Sequence, residues 1–262
     1  MPELPEAENL CRALTANVVG KRIVDVSFRQ PKGLNLPGAE FLQRVKGRVQ
    51  KVQRRGKAVV ISLDDGTLWL HMGLRSEVGY MTWCDAPPSA FLVLIFDDDS
   101  CFYMDKTFMG YAHFFSEGEF DRRWREAGVE PLGDEFTPQM LKRLAEARPN
   151  VAIKALLMDQ AVIAGIGNVY SDEILHAVGM DPSRKASSLS EQEIGAVYRA
   201  IQGVLKEAIE RGAGPEWIGF DGKPGGYVPR VHGVKRCPEH DCPVRKISFG
   251  GRTAYVCENG QG

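Results

Sequence analysis

Three cysteines and one histidine near the carboxyl end of the chain have types and spacing that could bind a metal ion. Within 21 positions lie Cys237, His240, Cys242 and Cys257. Thiolates and imidazoles are the usual ligands of structural zinc sites. The segments "KISF" and "TAYVC" around Gly250-Gly251 predict a β-hairpin. Its hydrophobic core would be too small for it to be stable without a cross-link such as a metal ion. We therefore expect a bound metal, and cysteines without a metal are the alternative.

A second motif, "IAGIGNVYSDEIL" at residues 163–175, predicts a tight Gly-x-Gly-Asn turn that opens a helix. Such a turn exposes backbone N–H groups at a helix N-terminus, where they can bind a phosphate without side-chain charge. Ordinary helix-turn geometry is the alternative.

Basic residues are clustered although the net charge is only −1. From Arg44 to Lys57 there are seven basic residues and no acid, and from Phe220 to Cys257 seven basic residues accompany three acids. Two local patches on a nearly neutral chain suit a surface that follows phosphates. A solvated strand face is the alternative for either patch alone.

The amino end places an acid beside a potential amine. Pro2 follows the initiator methionine, and Glu3 follows Pro2. Removal of the methionine would expose a secondary amine next to this carboxylate. A helix that merely begins at a proline is the alternative.

The elements that must position these residues change in type along the chain. Apolar residues at helical spacing predict a helix over residues 3–19, and alternating segments over 21–115 predict a β-sandwich. The polar stretch that contains Pro131 and Gly133 predicts a linker. Helices follow, the last from Glu191 to Arg211 behind a Ser190/Glu193 capping box.

Composition excludes several classes of protein. The chain has 262 residues, 44% of them hydrophobic and 26% charged, as in a globular protein of one or two domains. No apolar run approaches the roughly 20 residues that span a bilayer, and no secretion signal is evident. We expect a cytoplasmic protein, nucleoid-associated if bacterial. Cys11, Cys84 and Cys101 lie among apolar neighbours and are interpreted as small buried hydrophobic residues.

Five segments together resemble the formamidopyrimidine-DNA glycosylase and endonuclease VIII family of base-excision repair enzymes. They are "PELPEAE", "RRGKAVVISL", "GIGNVYSDEIL", "DGKPGGY" and "FGGRTAYVC", in the order and spacing of that family across essentially the whole chain. The resemblance implies an α+β protein. Its expected parts are an N-terminal catalytic helix and β-sandwich domain (1–117), a linker (118–136), a helix-two-turn-helix domain (137–219), and a lesion loop with a β-hairpin zinc finger (220–262), with DNA between the domains.

The resemblance also implies roles for individual residues. Pro2 would be the nucleophile, Glu3 the general acid and base, and Lys57 a phosphate ligand close to the lesion. An α-amino group has a pKa of about 8, so part of it is unprotonated at neutral pH. Asn168 and Arg252 would bind phosphates, and Lys154 is counted with the DNA-binding residues.

The residues expected to fill the gap left by an extruded base depart from the family pattern. Alignment of "HMGLRSE" and "DKTFMG" places Leu74, Thr107 and Met109 there, whereas formamidopyrimidine-type members have arginine and phenylalanine at the last two positions. Loss of the arginine removes a hydrogen-bond donor toward the orphaned base. Phe108 could take over through a shift of one residue.

The metal site departs too. The four-cysteine pattern of the family aligns with Cys237, His240, Cys257 and Gly260, and glycine has no coordinating group. Cys242 could supply the missing thiolate, so we expect structural Zn²⁺ on Cys237, His240, Cys242 and Cys257. A finger held by packing alone is the alternative.

The resulting hypothesis is a monomeric, bifunctional DNA glycosylase and abasic-site lyase acting on oxidised or ring-opened bases in duplex DNA. Strand cleavage would follow by β or β,δ elimination. One alternative is a damage-binding paralogue with little turnover, and another is a glycosylase for an atypical lesion. A zinc-finger transcription factor would need base-reading side chains on a helix, and this finger is a hairpin.

Overall fold

The computed structural model describes residues 2–29 and 31–261 and divides the chain into two compact units. The first unit runs to Glu126 and also takes in Pro215–Gly225, and the second comprises Ala127–Gly214 and Gly226–Gly262. No helix in the described residues is both long and apolar enough to cross a bilayer.

Helix α1 (Leu4–Val18) opens the first unit. Five of its buried apolar side chains recur at the spacing of one helical face, as the sequence predicts; they are Leu4, Ala7, Leu10, Leu14 and Val18. Helix α2 (Gly38–Arg44) follows behind a short 3₁₀ turn at Pro31–Gly33.

The strands of the first unit form two antiparallel sheets, which confirms the predicted sandwich domain. They are β1 (Arg22–Phe28), β2 (Gly47–Arg48), β3 (Lys51–Arg55), β4 (Ala58–Leu63), β5 (Gly66–His71), β6 (Glu77–Met81), β7 (Leu92–Phe96), β8 (Cys101–Asp105) and β9 (Tyr111–Phe115). One sheet has the order β2-β1-β7-β8-β6 and the other β3-β4-β5-β9. Helix α1 packs on β3 and β4.

Two features of the first unit differ from expectation. The segment expected to be a linker contains most of helix α3 (Glu117–Glu126), because Phe120 and Trp124 are one turn apart and pack against Trp69. Cys11 is buried as expected, but Cys84 and Cys101 form a disulfide with a Cα–Cα distance of 5.2 Å. Pairing of β6 with β8 sets Met81 opposite Cys101 and so brings Cys84 within reach.

The second unit contains four helices and a small antiparallel sheet. The helices are α4 (Pro138–Glu146), α5 (Ile153–Met158), α6 (Asn168–Ala177) and α7 (Glu191–Glu210), and the strands are β10 (Arg236–Cys237), β11 (Cys242–Phe249) and β12 (Arg252–Cys257). Helix α7 begins with the predicted capping box. Helix α6 is buried from Tyr170 to His176 even though four of these side chains are polar.

The predicted hairpin is present. Phe249 pairs with Arg252, and Gly250 and Gly251 both have positive φ, at 53° and 76°. Two successive positive φ values are the conformation of a type I′ turn, which glycine adopts without strain.

Candidate functional site

The predicted catalytic pair lies where α1 begins. Pro2 is half-buried, and Glu3 is only 2% exposed. Glu3 caps the helix reciprocally with Glu6: its backbone N–H donates to Glu6 Oε2 at 2.8 Å, and its carboxylate accepts from the Glu6 backbone. This capping box fixes the Glu3 carboxylate at the start of α1, in the residue that follows Pro2. Met1 lies outside the described residues.

Lys57 lies in the turn that joins β3 to β4, next to the closing pair Arg55–Ala58, and is 8% exposed. Arg54 Nε, just before this turn, lies 3.1 Å from Glu8 Oε2 on the second turn of α1. The ion pair brings the N-terminal half of α1 to the Lys57 end of β3. Pro2, Glu3 and Lys57 all belong to the first unit, in which α1 packs on the two strands that flank Lys57.

His71 is a neighbour of Lys57 that the sequence analysis missed. Its strand partner is Ala58, and its ring stacks on Tyr111 with centroids 5.0 Å apart. Burial, and then the positive charge of Lys57, lower the pKa of His71 to about 4. Nδ1 accepts from the Gly73 N–H at 3.2 Å, so the neutral ring carries its proton on Nε2. Nothing in the local sequence "TLWLHMG" distinguishes such a histidine from an ordinary strand residue.

The depressed pKa of His71 predicts a pH dependence of stability. Between about pH 6.5 and 4 the unfolded chain binds a proton on His71 that the folded chain does not. The contribution of His71 to the free energy of unfolding is therefore complete above the unfolded pKa and is lost as the pH falls. The shift corresponds to about 3 kcal/mol. In urea unfolding across this pH range, the free energy of unfolding of the wild type should fall by about 3 kcal/mol more than that of His71→Asn. Asparagine at this position keeps an acceptor for the Gly73 N–H. Parallel curves for the two proteins would contradict the assignment.

The predicted base-gap residues lie on two loops that are tied together. Leu74 N–H donates to Phe108 O at 2.7 Å, and Phe108 N–H donates to Leu74 O at 2.9 Å. Leu74, Phe108 and Met109 are 36%, 64% and 73% exposed, while Thr107 Oγ1 donates to Met72 O at 3.3 Å. Because the Thr107 hydroxyl is engaged with the backbone, Phe108 and Met109 are the large side chains that project from this loop.

The predicted phosphate ligands Asn168 and Arg252 are brought together in the second unit. Asn168 begins α6, and its Nδ2 donates to Thr253 O, next to Arg252, at 2.9 Å. Arg252 is exposed at the start of β12. The Gly-x-Gly-Asn turn and the start of β12 therefore belong to one local surface.

Lys154 does not lie on that surface. It is fully buried, and its Nζ lies 2.7 Å from both Ser171 Oγ and Asp172 Oδ1. Asp172 Oδ2 in turn lies 2.7 Å from His232 Nδ1. A buried ammonium paired in this way holds the first turns of α6 in place. Lys154 is among the residues predicted to bind DNA, but its buried position indicates a supporting role instead.

Three of the four predicted metal ligands converge, and a histidine from a helix joins them. Cys237, His240, Cys257 and His176 have donor atoms within 4.8 Å of one another. Cys242 is not in this group, although its Sγ lies 3.2 Å from Cys257 Sγ. Two thiols and two imidazoles are a donor set that suits Zn²⁺. His176 was missed because it lies on α6, 61 residues before Cys237, where no spacing pattern points to it.

A β-sandwich with a capped proline-glutamate start, followed by a helical unit with a Gly-x-Gly-Asn turn and a Cys/His hairpin, defines a DNA repair glycosylase. Two family models match the chain: the formamidopyrimidine-DNA glycosylase N-terminal domain over residues 1–111 and the H2TH domain of the same enzymes over 127–216. The chain belongs to the formamidopyrimidine-DNA glycosylase family.

Individual relatives agree over the full length. The formamidopyrimidine-DNA glycosylase of Pelotomaculum thermopropionicum is 35% identical, with 98% of each chain covered, and that of Bacillus subtilis is 34% identical at the same coverage. The Fpg protein of Thermus thermophilus is 30% identical, with a TM-score of 0.88 over 100% of this chain and 99% of that one. Lactococcus lactis Fpg, in complex with DNA that contains an oxidised pyrimidine, is 25% identical, with a TM-score of 0.88 over 99% of each chain.

Proposed function

We propose that this protein is a bifunctional DNA glycosylase and abasic-site lyase that removes oxidised or ring-opened bases from duplex DNA. The observation that carries the proposal is the buried Glu3 carboxylate that follows Pro2 at the start of α1, in a member of this family. Helix α1 packs on the two strands that flank Lys57, which supports a common site. DNA in the complex of the Lactococcus relative contains an oxidised pyrimidine, which supports this substrate class.

In the proposed reaction Pro2, freed by removal of Met1, attacks C1′ of the damaged nucleotide as its unprotonated secondary amine. Glu3 supplies and accepts protons as the sugar ring opens. The base leaves, and the amine and sugar form an iminium ion that is positively charged at every pH. This ion acidifies the 2′ proton, so the 3′ phosphate is expelled by β elimination, and a δ elimination can follow.

Two groups of residues would bind DNA phosphates, one near the reacting sugar and one elsewhere along the backbone. Lys57, together with the Nε2–H of His71, would hold a phosphate near the reacting sugar, while Asn168 and Arg252 would hold backbone phosphates. Phosphate contacts fix register without reading sequence, as a repair enzyme requires.

The two tied loops would support base extrusion, which costs a few kcal/mol. Leu74, with Phe108 and Met109 on the facing loop, would fill the space that the extruded base leaves. Thr107 would brace the facing loop through its hydrogen bond to Met72.

Zinc is the metal that we propose for the hairpin cluster, in a structural role. When bound it would cross-link the hairpin, and the chemistry at Pro2 does not pass through it. We further propose that the enzyme acts as a monomer on DNA in the cytoplasm or nucleoid.

Borohydride trapping tests this function. The protein is incubated with a duplex containing a single abasic site, sodium borohydride is added, and the covalent protein–DNA complex is resolved on a denaturing gel. We expect a trapped complex whose peptide map places the sugar on Pro2. If an abasic-site duplex and duplexes with several oxidised bases give no complex while binding remains specific for damage, the protein is a damage-binding paralogue.

Arg252 gives a prediction about affinity. Arg252→Ala should weaken binding to all sequences alike and reduce the slope of log K against log salt by about 0.9, since one phosphate contact is lost. Lys246→Ala is the matched control. Strand pairing sets Lys246 opposite Tyr255, on the other face of the same hairpin from Arg252 and Phe249. Salt titrations that show the same slope for wild type and Arg252→Ala would refute the contact.

A further inference from the structure

We propose that His176 on α6 is the fourth ligand of the metal ion, in place of Cys242. The metal would then be bound by two thiolates and two imidazoles, and it would join the hairpin to α6. This inference rests on the zinc-binding role proposed for the hairpin, and it assigns a ligand that the cysteine pattern of the sequence does not contain.

The distances support this ligand set. Cys237 Sγ lies 3.1 Å from His176 Nε2 and 3.5 Å from His240 Nδ1, and Cys257 Sγ lies 3.4 Å from the same His240 nitrogen. In a tetrahedron with Zn–S of about 2.3 Å and Zn–N of about 2.0–2.1 Å, sulfur and nitrogen ligands lie about 3.5 Å apart. These three sulfur–nitrogen pairs therefore have nearly the spacing of a tetrahedral site, and all four donor atoms lie within 4.8 Å of one another.

Gly260 explains why a helix residue is needed. This glycine stands where the family pattern has its fourth cysteine, and a Cβ atom there would lie 2.6 Å from His240 Cε1 and 2.9 Å from His240 Nδ1. The imidazole of His240 fills the space that a side chain at position 260 would use. A side chain at position 260 therefore cannot supply the fourth ligand, which must come from another side of the cluster. His176 Nε2 lies on such a side.

The far nitrogen of His176 has the surroundings of a metal-bound histidine. Histidines that bind metals usually direct their other ring nitrogen toward a carboxylate or carbonyl, which fixes the tautomer. His176 Nδ1 is buried without a hydrogen bond in the described residues, and Glu239 Oε2 is 3.9 Å away. Glu239 Oε1 is held by Arg230 Nε at 3.0 Å. A small movement of Glu239 would complete the pair.

Cys242 would then have a supporting role. Its Sγ lies 3.2 Å from Cys257 Sγ, so its thiol can donate to the Cys257 thiolate. A metal ion bound in this way would also fix the position of α6, which begins at Asn168. Because His176 and Asn168 belong to one short helix, a metal bound to His176 would fix that helix against the strand that carries Arg252.

X-ray absorption at the zinc edge on the wild-type protein tests the proposal without any substitution or DNA. We expect one zinc per chain, with two sulfur ligands at about 2.3 Å and two nitrogen ligands at about 2.0–2.1 Å. Three sulfurs and one nitrogen would overturn the proposal in favour of Cys242, and protein that binds no zinc would overturn it as well. Either failure would leave the trapping result at Pro2 untouched, and loss of trapping would leave the ligand count untouched.

Variants separate a ligand from a supporting residue. In chelator competition His176→Ala should weaken zinc binding by more than about 100-fold, whereas Cys242→Ser and Glu239→Gln should each cost about 10- to 100-fold, as outer-shell changes do. His176→Cys should retain zinc with three sulfurs and one nitrogen, which guards against misfolding of the alanine variant. If His176→Cys keeps the wild-type sulfur count, or Cys242→Ser loses a sulfur, the assignment is wrong.

Discussion

Pro2→Gly is expected to reduce the yield of borohydride-trapped complex per unit time at least about 100-fold, and protein that retains Met1 is expected to give none. Glycine leaves a primary amine, whose imine is cationic only when it is protonated, whereas the secondary amine of proline gives a permanent cation. Glycine also loosens the backbone just ahead of the Glu3–Glu6 capping box. Both effects act on the same step, the approach of the nitrogen to C1′.

Pro37→Gly is the matched control, because Pro37 directly precedes α2 as an exposed N-cap and makes no proposed contact with DNA. It should trap at the wild-type rate. Single-turnover trapping with mass spectrometry of the amino terminus separates uncleaved from mature protein. A Pro2→Gly protein that traps at full rate, with the sugar mapped to a lysine, would remove Pro2 from the mechanism.

The parts of this molecule that were predicted from sequence are those encoded by local pattern. Helix α1 follows from apolar spacing, and the β11–β12 hairpin follows from two glycines between alternating segments. Family motifs then supplied roles for Pro2, Glu3 and Asn168 that no periodicity contains. Those roles stay predictions until they are tested.

What the sequence could not supply depends on which distant residues meet. His176 meets Cys237 only because α6 packs against the hairpin. Cys84 meets Cys101 because of strand register, and Lys154 is turned inward by its pair with Asp172. In each case the residue type suggested a function, but the partner came from tertiary packing.

Helix α6 illustrates the same point for stability. Its buried polar side chains contact three other parts of the unit: Ser171 and Asp172 bind Lys154 of α5, His176 meets Cys237, and Glu173 binds the segment that leads to the hairpin. Buried polar side chains are tolerated when they are hydrogen-bonded, and each of these four has at least one such partner. Removal of one partner should therefore cost more than removal of an apolar contact of the same size.

Glu173→Gln is expected to destabilise the second unit by about 3–5 kcal/mol. The Glu173 carboxylate, 1% exposed, accepts N–H groups of three successive residues, from Arg230 at 2.7 Å, Val231 at 2.9 Å and His232 at 2.8 Å. It also accepts the Tyr227 hydroxyl at 3.2 Å. Burial, and then the negative charge of Glu173, raise the pKa of Tyr227 well above its usual value, so this hydroxyl keeps its proton and remains a donor.

Glutamine preserves the shape of Glu173 but has one oxygen, so its NH₂ group must face N–H donors that have no other acceptor within the turn. Glu210→Gln, exposed at the end of α7, is the control and should change stability by less than about 0.5 kcal/mol. Urea unfolding measures the loss, and hydrogen exchange should show faster exchange of the amides of residues 230–232 in Glu173→Gln. If the variant were as stable as wild type with those amides still protected, the segment before Cys237 would have to be held by the hairpin and its metal rather than by this carboxylate.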